Sequence, residues 1–538
     1  MLLLFCDSNN LAFGAYAKAP LSPNGPTVND DSLVVENVAE GLDFPTSMDF
    51  LGPNDILVTE KDTGKVIRIT NGTLNPSPVL DVAVATGIER GLLGIAISKS
   101  LEGKTFVFIY YTESGNGEDG SDVDNLIDPA GNRLYRYELV GDQLINPVLL
   151  LDLNAIPPNG RGEHNGGKIR IGPDNNVYVV VGEVGGHRTQ AQNIFDGPAP
   201  NGLGGVLRIT QDGRIVDDEN PIFGTDLPLS IYYAMGIRNS FGIDFDPLTG
   251  NLWDTENGAT SGDEINLVFP GFNSGWFPIQ GYVANNLMQN AASESDLVHF
   301  GSSQYSDPKF GWTIPIGLTA LKFLNSDKLG SQYANDMFVG DINNGLLYRF
   351  SLNEERNAIL INDTYVGNIE LLKDNNIDDP KENIPLIFGQ GFGGITDIQV
   401  GPDGYLYVLS YTGSLFKIIP ASESTSSQNV PESIQIQDDT SLDQSAAVSA
   451  VILGINGQDS YSPNPIEIEV GQTVTWHNGD SISHTVTSGL AGDPDEGSMF
   501  DSDAIIPNQS YSSRFDQSGV FDYYCIYHPT MIGQVIAN

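Results

Sequence analysis

Along the first four hundred residues the apolar positions fall in short runs separated by turn residues, never in the 3.6-residue rhythm of a long amphipathic helix. The stretch GLDFPTSMDFLGPNDILVTEKDTGKVIRI, from Gly41, shows the unit. An apolar strand meets a Gly-Pro-Asn turn, a second strand ends in Thr-Glu, and a third ends in a basic–apolar pair. Units of the same form start at Gly91 (GLLGIAISKS), His164 (HNGGKIRIGPDNNVYVVVGE) and Gly236 (GIRNSFGIDFDPLTGNLWDTENG), then at Gly317 (GLTALKFL) and Gly393 (GGITDIQVGPDGYLYVLSYTGSLFKI). Repeats of this kind, each a small antiparallel sheet, predict an all-β chain whose first part is a six-bladed β-propeller. Its variable loops would form a pocket at one end of the central channel.

The rhythm breaks at 421–447, ASESTSSQNVPESIQIQDDTSLDQSAA, which is polar, rich in Ser, Gln and Asp, and reads as a flexible linker. That leaves a propeller over 31–420 and a segment over 448–538, the size of one Greek-key β-sandwich. Residues 1–30 read as a leader and disordered N-terminus. MLLLFC is apolar and AYA at 15–17 resembles a small-residue cleavage site, although the run is short and no basic residue precedes it. Export to the cell surface or beyond is the expectation, and sequons at Asn71, Asn362 and Asn508 agree with it. No apolar stretch approaches the ~18 residues that would span a membrane.

Charge narrows the partners. With a formal net charge of −44, the chain lacks the basic face that nucleic acid or anionic lipid requires. Cysteine narrows the chemistry. Cys6 lies in the leader, so Cys525 is alone in the folded part and is an inert thiol, a reactive thiol or a metal ligand.

Its surroundings, FDYYCIYHPTMIGQVIAN, favour the metal. A thiolate and two imidazoles hold copper in a trigonal plane, with a thioether weakly above it. Cys525, His528 and Met531 supply one loop, and His484 in SISHTVTSG supplies the distant imidazole. Zinc has little use for the Met. His477, in TVTWHN, is expected to face solvent. Six histidines leave no ligand set for a second copper centre, so the site would carry single electrons. The C-x-x-H-x-x-M loop, entered by YYC and left by GQVIAN, resembles the cupredoxins, small type 1 blue copper proteins such as amicyanin and plastocyanin.

The propeller has its own likeness. ERGLLGIAIS, EHNGGKIRIGPDNNVYVVVGE, GIRNSFGIDFDPLTGNLWDTENG and GDEINLVFPGFNSGW resemble the soluble quinoprotein glucose/sorbosone dehydrogenases. Members of that family are six-bladed propellers that bind pyrroloquinoline quinone (PQQ) with Ca²⁺ and oxidise aldose sugars. The resemblance makes His164 the catalytic base and Glu183 the acid that orients it. It places Arg238 and Asn239 at the quinone, Asn257 as a contacting amide, and the carbonyls of Gly258 and Ala259 at the calcium. Asp263, Glu264 and Asn266 in GDEIN either cap a loop or bind a structural calcium.

One departure stands out. The family neutralises the three carboxylates of PQQ with a lysine and two arginines, and this chain has Asn343, Gly394 and Thr396 there. Each lost charge-assisted contact is worth ~1.5–3 kcal/mol. Either Lys168, Arg170, Arg188 or Lys322 moves into the role, or the cofactor is held weakly, differs or is absent.

The leading expectation is an exported sugar or alcohol dehydrogenase delivering electrons through tethered copper to an external one-electron partner. The alternative is a cofactor-less propeller that binds carbohydrate or protein, fused to a copper carrier. A calcium-dependent hydrolase would need converging acids at the channel, and His164 with Glu183 suits proton abstraction better.

Overall fold

The structure is a computed structural model. It describes every residue except 1–18, 23–24, 100–102, 159–161, 218–221, 260, 286–291, 362–363, 367–368, 373, 425–447, 454–459, 480–483, 490–496, 498, 503–504, 506–508 and 526–527. The leader motifs, Asn362, Asn508 and most of the expected linker therefore lie outside the described residues. The chain divides into two units, one from residues up to 378 and 385–428, the other from 379–384 and 429–538.

In the first unit each repeat of the sequence becomes one sheet. The innermost strands are Pro45–Gly52, Leu92–Lys99, Ile169–Ile171, Ser240–Phe245, Leu318–Phe323 and Ile395–Val400. Each packs on the next, and Ile395–Val400 packs on Pro45–Gly52, so the six form a closed ring. The sequence pattern shows three strands per sheet, and the structure adds outer ones. Gln143–Leu153 extends the second sheet, and Ile387–Gln390 the fifth. Closure is non-local: Leu33–Ala39 pairs antiparallel with Ser414–Pro420, with Val34 opposite Ile419 and Glu36 opposite Lys417. The chain then turns through Ala421–Glu423, where the Ala421 N–H donates to the Ser32 carbonyl. The helix content is slight, a single α-turn at Ser121–Asp124 among the described residues.

Successive inner strands are stitched by carboxylates. Asp397 accepts the Met48 N–H at 2.9 Å, Asp49 the Ile97 N–H at 2.7 Å, and Asp244 the Phe323 N–H at 3.0 Å. These acids come from the strand phrases TDI, MDF and IDF, each supplying one carboxylate to the next sheet. The charge is answered from the third and fifth sheets. Lys168 Nζ sits 2.8 Å from Asp397, and Lys322 Nζ 3.0 Å and Arg170 Nε 3.4 Å from Asp244. Burial alone would raise the Asp397 carboxyl, but Lys168 and Arg170 outweigh it and hold it below the usual range.

The second unit is two four-stranded sheets, a β-sandwich. Thr473–Asn478 buries every second residue, so Val474, Trp476 and Asn478 face inward. Trp476 anchors the core, packing on Phe500, Tyr511, Phe515 and Tyr523.

Removing one partner of a buried pair strands the other charge. Lys168→Met should lower unfolding free energy by ~3–5 kcal/mol in denaturant titration, and a loss under ~1 kcal/mol would mean Asp397 has other sufficient partners. The Asp397 contribution is present above its ordinary value of 3.8 and is lost as pH falls below it.

Candidate active site and copper centre

Loops that enter the inner strands and loops that leave Leu252–Glu256 and Met337–Asp341 surround a cavity of about 290 Å³. His164, Arg238, Asn239, Asn257, Gly258 and Ala259 all line it, and Glu183 stands behind His164. His164 occupies the left-handed region, φ 60°, just ahead of Ile169–Ile171. Its backbone N–H donates to Glu89 Oε2 at 2.6 Å, which holds that uncommon conformation. Its Nδ1 lies 2.6 Å from Glu183 Oε1, while Glu183 Oε2 accepts the Gly186 N–H at 2.6 Å. A carboxylate facing Nδ1 keeps the ring proton there, which leaves Nε2 with a lone pair to accept another.

Arg238 is the cation of this cavity. Burial pulls its pKa down, while Glu89, Glu183, Asp263 and Glu256 hold it up. Its Nη1 donates to the carbonyls of Asn257 and Gly258, both at 2.9 Å, and the guanidinium lies 5.4 Å from the Trp276 ring centre. Asn257 Nδ2 donates to the Leu318 carbonyl at 2.8 Å. Asn239 Nδ2 donates to Glu89 Oε2 at 3.1 Å. Glu89 thus joins two cavity residues, and sequence reading passed over it although it stands inside the quoted ERGLLG phrase.

The GDEIN residues hold loops. Asp263 accepts N–H groups from Gly258, Ile316 and Gly317 at 2.8–2.9 Å. Glu264 accepts from Gly281 at 2.6 Å and contacts the Asn266 amide at 3.4 Å. Burial raises both carboxyls. No three of His, Cys, Asp or Glu converge as a metal site among the described residues.

Asn343 lines the same cavity, and Thr396 lines an adjoining one of about 290 Å³ that shares Ile88, Glu89 and Phe241 with it. None of the four suggested replacement cations is idle. Lys168 reaches the adjoining cavity but is held by Asp397, Arg170 and Lys322 are held by Asp244, and Arg188 lies 3.6 Å over the Phe277 ring. Lys61, not singled out from sequence, also reaches it and pairs with Asp62 at 2.7 Å.

In the sandwich, Cys525 closes the buried end of the strand Gly519–Cys525 and Met531 is buried in the same core. His484 Nδ1 lies 3.7 Å from Cys525 Sγ, and the Thr485 N–H reaches that sulfur at 3.2 Å. Ligand bonds of about 2.0 Å to nitrogen and 2.3 Å to sulfur, opened to a trigonal angle, leave about 3.7 Å between the donors. The pair fits one metal ion. The backbone brings His528 opposite Cys525, and the His528 side chain lies outside the described residues. His477 sits on the other face from Trp476, with Nδ1 3.1 Å from Ser510 Oγ.

Comparison with known proteins agrees with this division. The glucose/sorbosone dehydrogenase family matches residues 42–417, and the plastocyanin/azurin family of copper-binding proteins matches 450–538. The chain belongs to the glucose/sorbosone dehydrogenase family and carries a C-terminal plastocyanin/azurin-family copper-binding domain. It is 26% identical to quinoprotein glucose dehydrogenase B of Acinetobacter calcoaceticus, over 76% of this chain and 95% of that one. It is 34% identical to amicyanin of Paracoccus versutus, over 16% of this chain and 65% of that one. The apo-form of the soluble aldose sugar dehydrogenase of Escherichia coli shares the propeller fold, with a TM-score of 0.54 at 22% identity over 72% of this chain and 99% of that one.

Two variants probe this geometry. Glu89→Ala removes the acceptor of two bonds and should cost ~1.5–3 kcal/mol in chemical denaturation; an unchanged midpoint would show the carboxylate to be idle. Cys525→Ser, reconstituted with cupric ion, should lack the intense thiolate-to-copper charge-transfer absorption expected of the unaltered chain.

Proposed function

We propose that this chain oxidises a sugar or related alcohol in the propeller cavity and passes the electrons singly, through its copper domain, to an external acceptor. The observation that carries the reading is the 2.6 Å contact of His164 with Glu183 inside a cavity walled by Arg238, Asn239 and Asn257. His164 Nε2 takes the hydroxyl proton as the neighbouring C–H bond gives up its hydride. Glu183 stabilises the imidazolium that forms, and Arg238 faces the developing negative charge. A quinone-class acceptor bound in the cavity would supply the two-electron chemistry.

Copper is the metal the sandwich ligands support, since a thiolate, imidazoles and a thioether suit it and a single electron is its usual cargo. Calcium-bound PQQ is not supported in the same way, because the Gly258 carbonyl is engaged by Arg238 and positions 343, 394 and 396 carry no charge. Those neutral positions are also what favours the second reading, a propeller that binds carbohydrate or protein without turnover. Export remains part of the proposal, supported by the apolar MLLLFC phrase and the exposed Asn71 at a turn.

Dye reduction by a panel of sugars, with PQQ and calcium or with a simple quinone, separates the two readings. His164→Gln should lower turnover by a factor of ~10²–10⁴ and leave the copper absorption unchanged. Undiminished turnover would remove His164 from the chemistry, and a wild-type chain inert to every sugar and quinone would leave the binding reading.

A further inference from the structure

Resting on the dehydrogenase reading, we infer that the propeller cavity takes an uncharged aromatic quinone rather than a calcium-bound tricarboxylate. The argument begins with where charge sits. The Gly258 carbonyl, which a calcium ion would need, accepts Arg238 Nη1 at 2.9 Å, and so does the Asn257 carbonyl beside it. A guanidinium and a divalent cation cannot share that carbonyl without repulsion.

Where a trianion would need cations, the walls are neutral and partly closed. Asn343 lies over Gly317, whose added Cβ would meet Asn343 Nδ2 at 2.8 Å. At Gly394 an added Cβ would fall 2.5 Å from the Ile342 carbonyl oxygen and 2.7 Å from the Tyr411 ring, so the backbone has closed over the place of a long basic side chain. Thr396 turns its hydroxyl to the Leu409 carbonyl at 3.3 Å. The nearby ammonium groups are already answered, Lys168 by Asp397 and Lys61 by Asp62, both within 2.8 Å. Glu89 adds an acid to both cavities.

What the adjoining cavity offers is apolar surface. Phe44, Leu93, Phe241 and Ile342 line it, with Ile88 held at φ 55° on the boundary of the two. Flat aromatic and aliphatic walls suit an unsubstituted ring system and give no return for burying carboxylates. The redox step balances with such a ligand. The alcohol loses a hydride to the quinone and a proton to His164, the carbonyl product and hydroquinone form, and the hydroquinone returns two electrons, one per cupric ion, with two protons released to solvent.

Equilibrium dialysis of the full chain tests this with menadione, a naphthoquinone without carboxylates, against PQQ in the presence of calcium. Menadione should bind at least about tenfold more tightly. Thr396→Arg combined with Asn343→Lys should tighten PQQ binding by about a hundredfold. PQQ binding as tight as menadione on the unaltered chain overturns the inference, as does absence of saturable menadione binding or failure of the folded double variant to gain PQQ affinity. If that variant does not fold, the comparison on the unaltered chain decides alone. The dehydrogenase reading fails separately, when menadione binds and no sugar reduces a dye.

Discussion

The propeller depends on an electrostatic stitch around its axis. Six sheets arranged in a ring bring the innermost strands side by side without pairing them, so some backbone N–H groups need a partner from the next sheet. Asp49, Asp244 and Asp397 provide it, each reaching one sheet onward. A carboxylate can do this in a water-poor channel only when a cation stands close by. Lys168, Arg170 and Lys322 are that answer, which is why the phrases KIRI and LKF sit on inner strands where apolar residues alone would be cheaper to bury.

That constraint reaches into the cavity. The chain has only 25 lysines and arginines against 69 acids, so a cation committed to the axis is scarce elsewhere. Lys168 shows the consequence, since it touches the cavity wall yet its charge is answered by Asp397. Burial draws its ammonium down to about 8, so it stays mostly protonated at neutral pH and stays paired. Among the described residues the main cavity is lined by one positive side chain, Arg238, and that faces four carboxylates. A site with this balance favours reactions in which charge appears transiently over ligands that bring permanent negative charge.

Much of this was legible in the sequence, for physical reasons. The six repeats were visible because inner and middle strands are buried on both faces and must be apolar, with glycine turns at fixed places. His164, Arg238 and Asn257 could be placed because each stands in a phrase that resembles the dehydrogenase family, the first two ahead of inner strands and Asn257 just after Leu252–Glu256. The outer strands were not legible. Gln143–Leu153 has most of its residues exposed, so its pattern carries little burial signal. The pairing of Leu33–Ala39 with Ser414–Pro420 joins segments nearly four hundred residues apart, which no local periodicity encodes. Glu89 was missed for a different reason. Its partners are the backbone of His164 and the amide of Asn239, and neither leaves a spacing rule in the sequence.

On the proposed dehydrogenase reading, the copper domain follows from the arithmetic of the reaction. Oxidising an alcohol releases two electrons together, and a type 1 site accepts one at a time with little rearrangement of its ligands. Each turnover so proposed would need two one-electron transfers to copper, the second before the reduced ligand leaves. A free carrier would make that second transfer at its bulk concentration, whereas a carrier on the same chain makes it at a raised effective concentration. On that reading the fusion would raise the chance of completing the pair of transfers before the reduced ligand escapes. That gain matters most for a ligand held by apolar contacts alone, because it lacks the ionic anchors that would slow its departure.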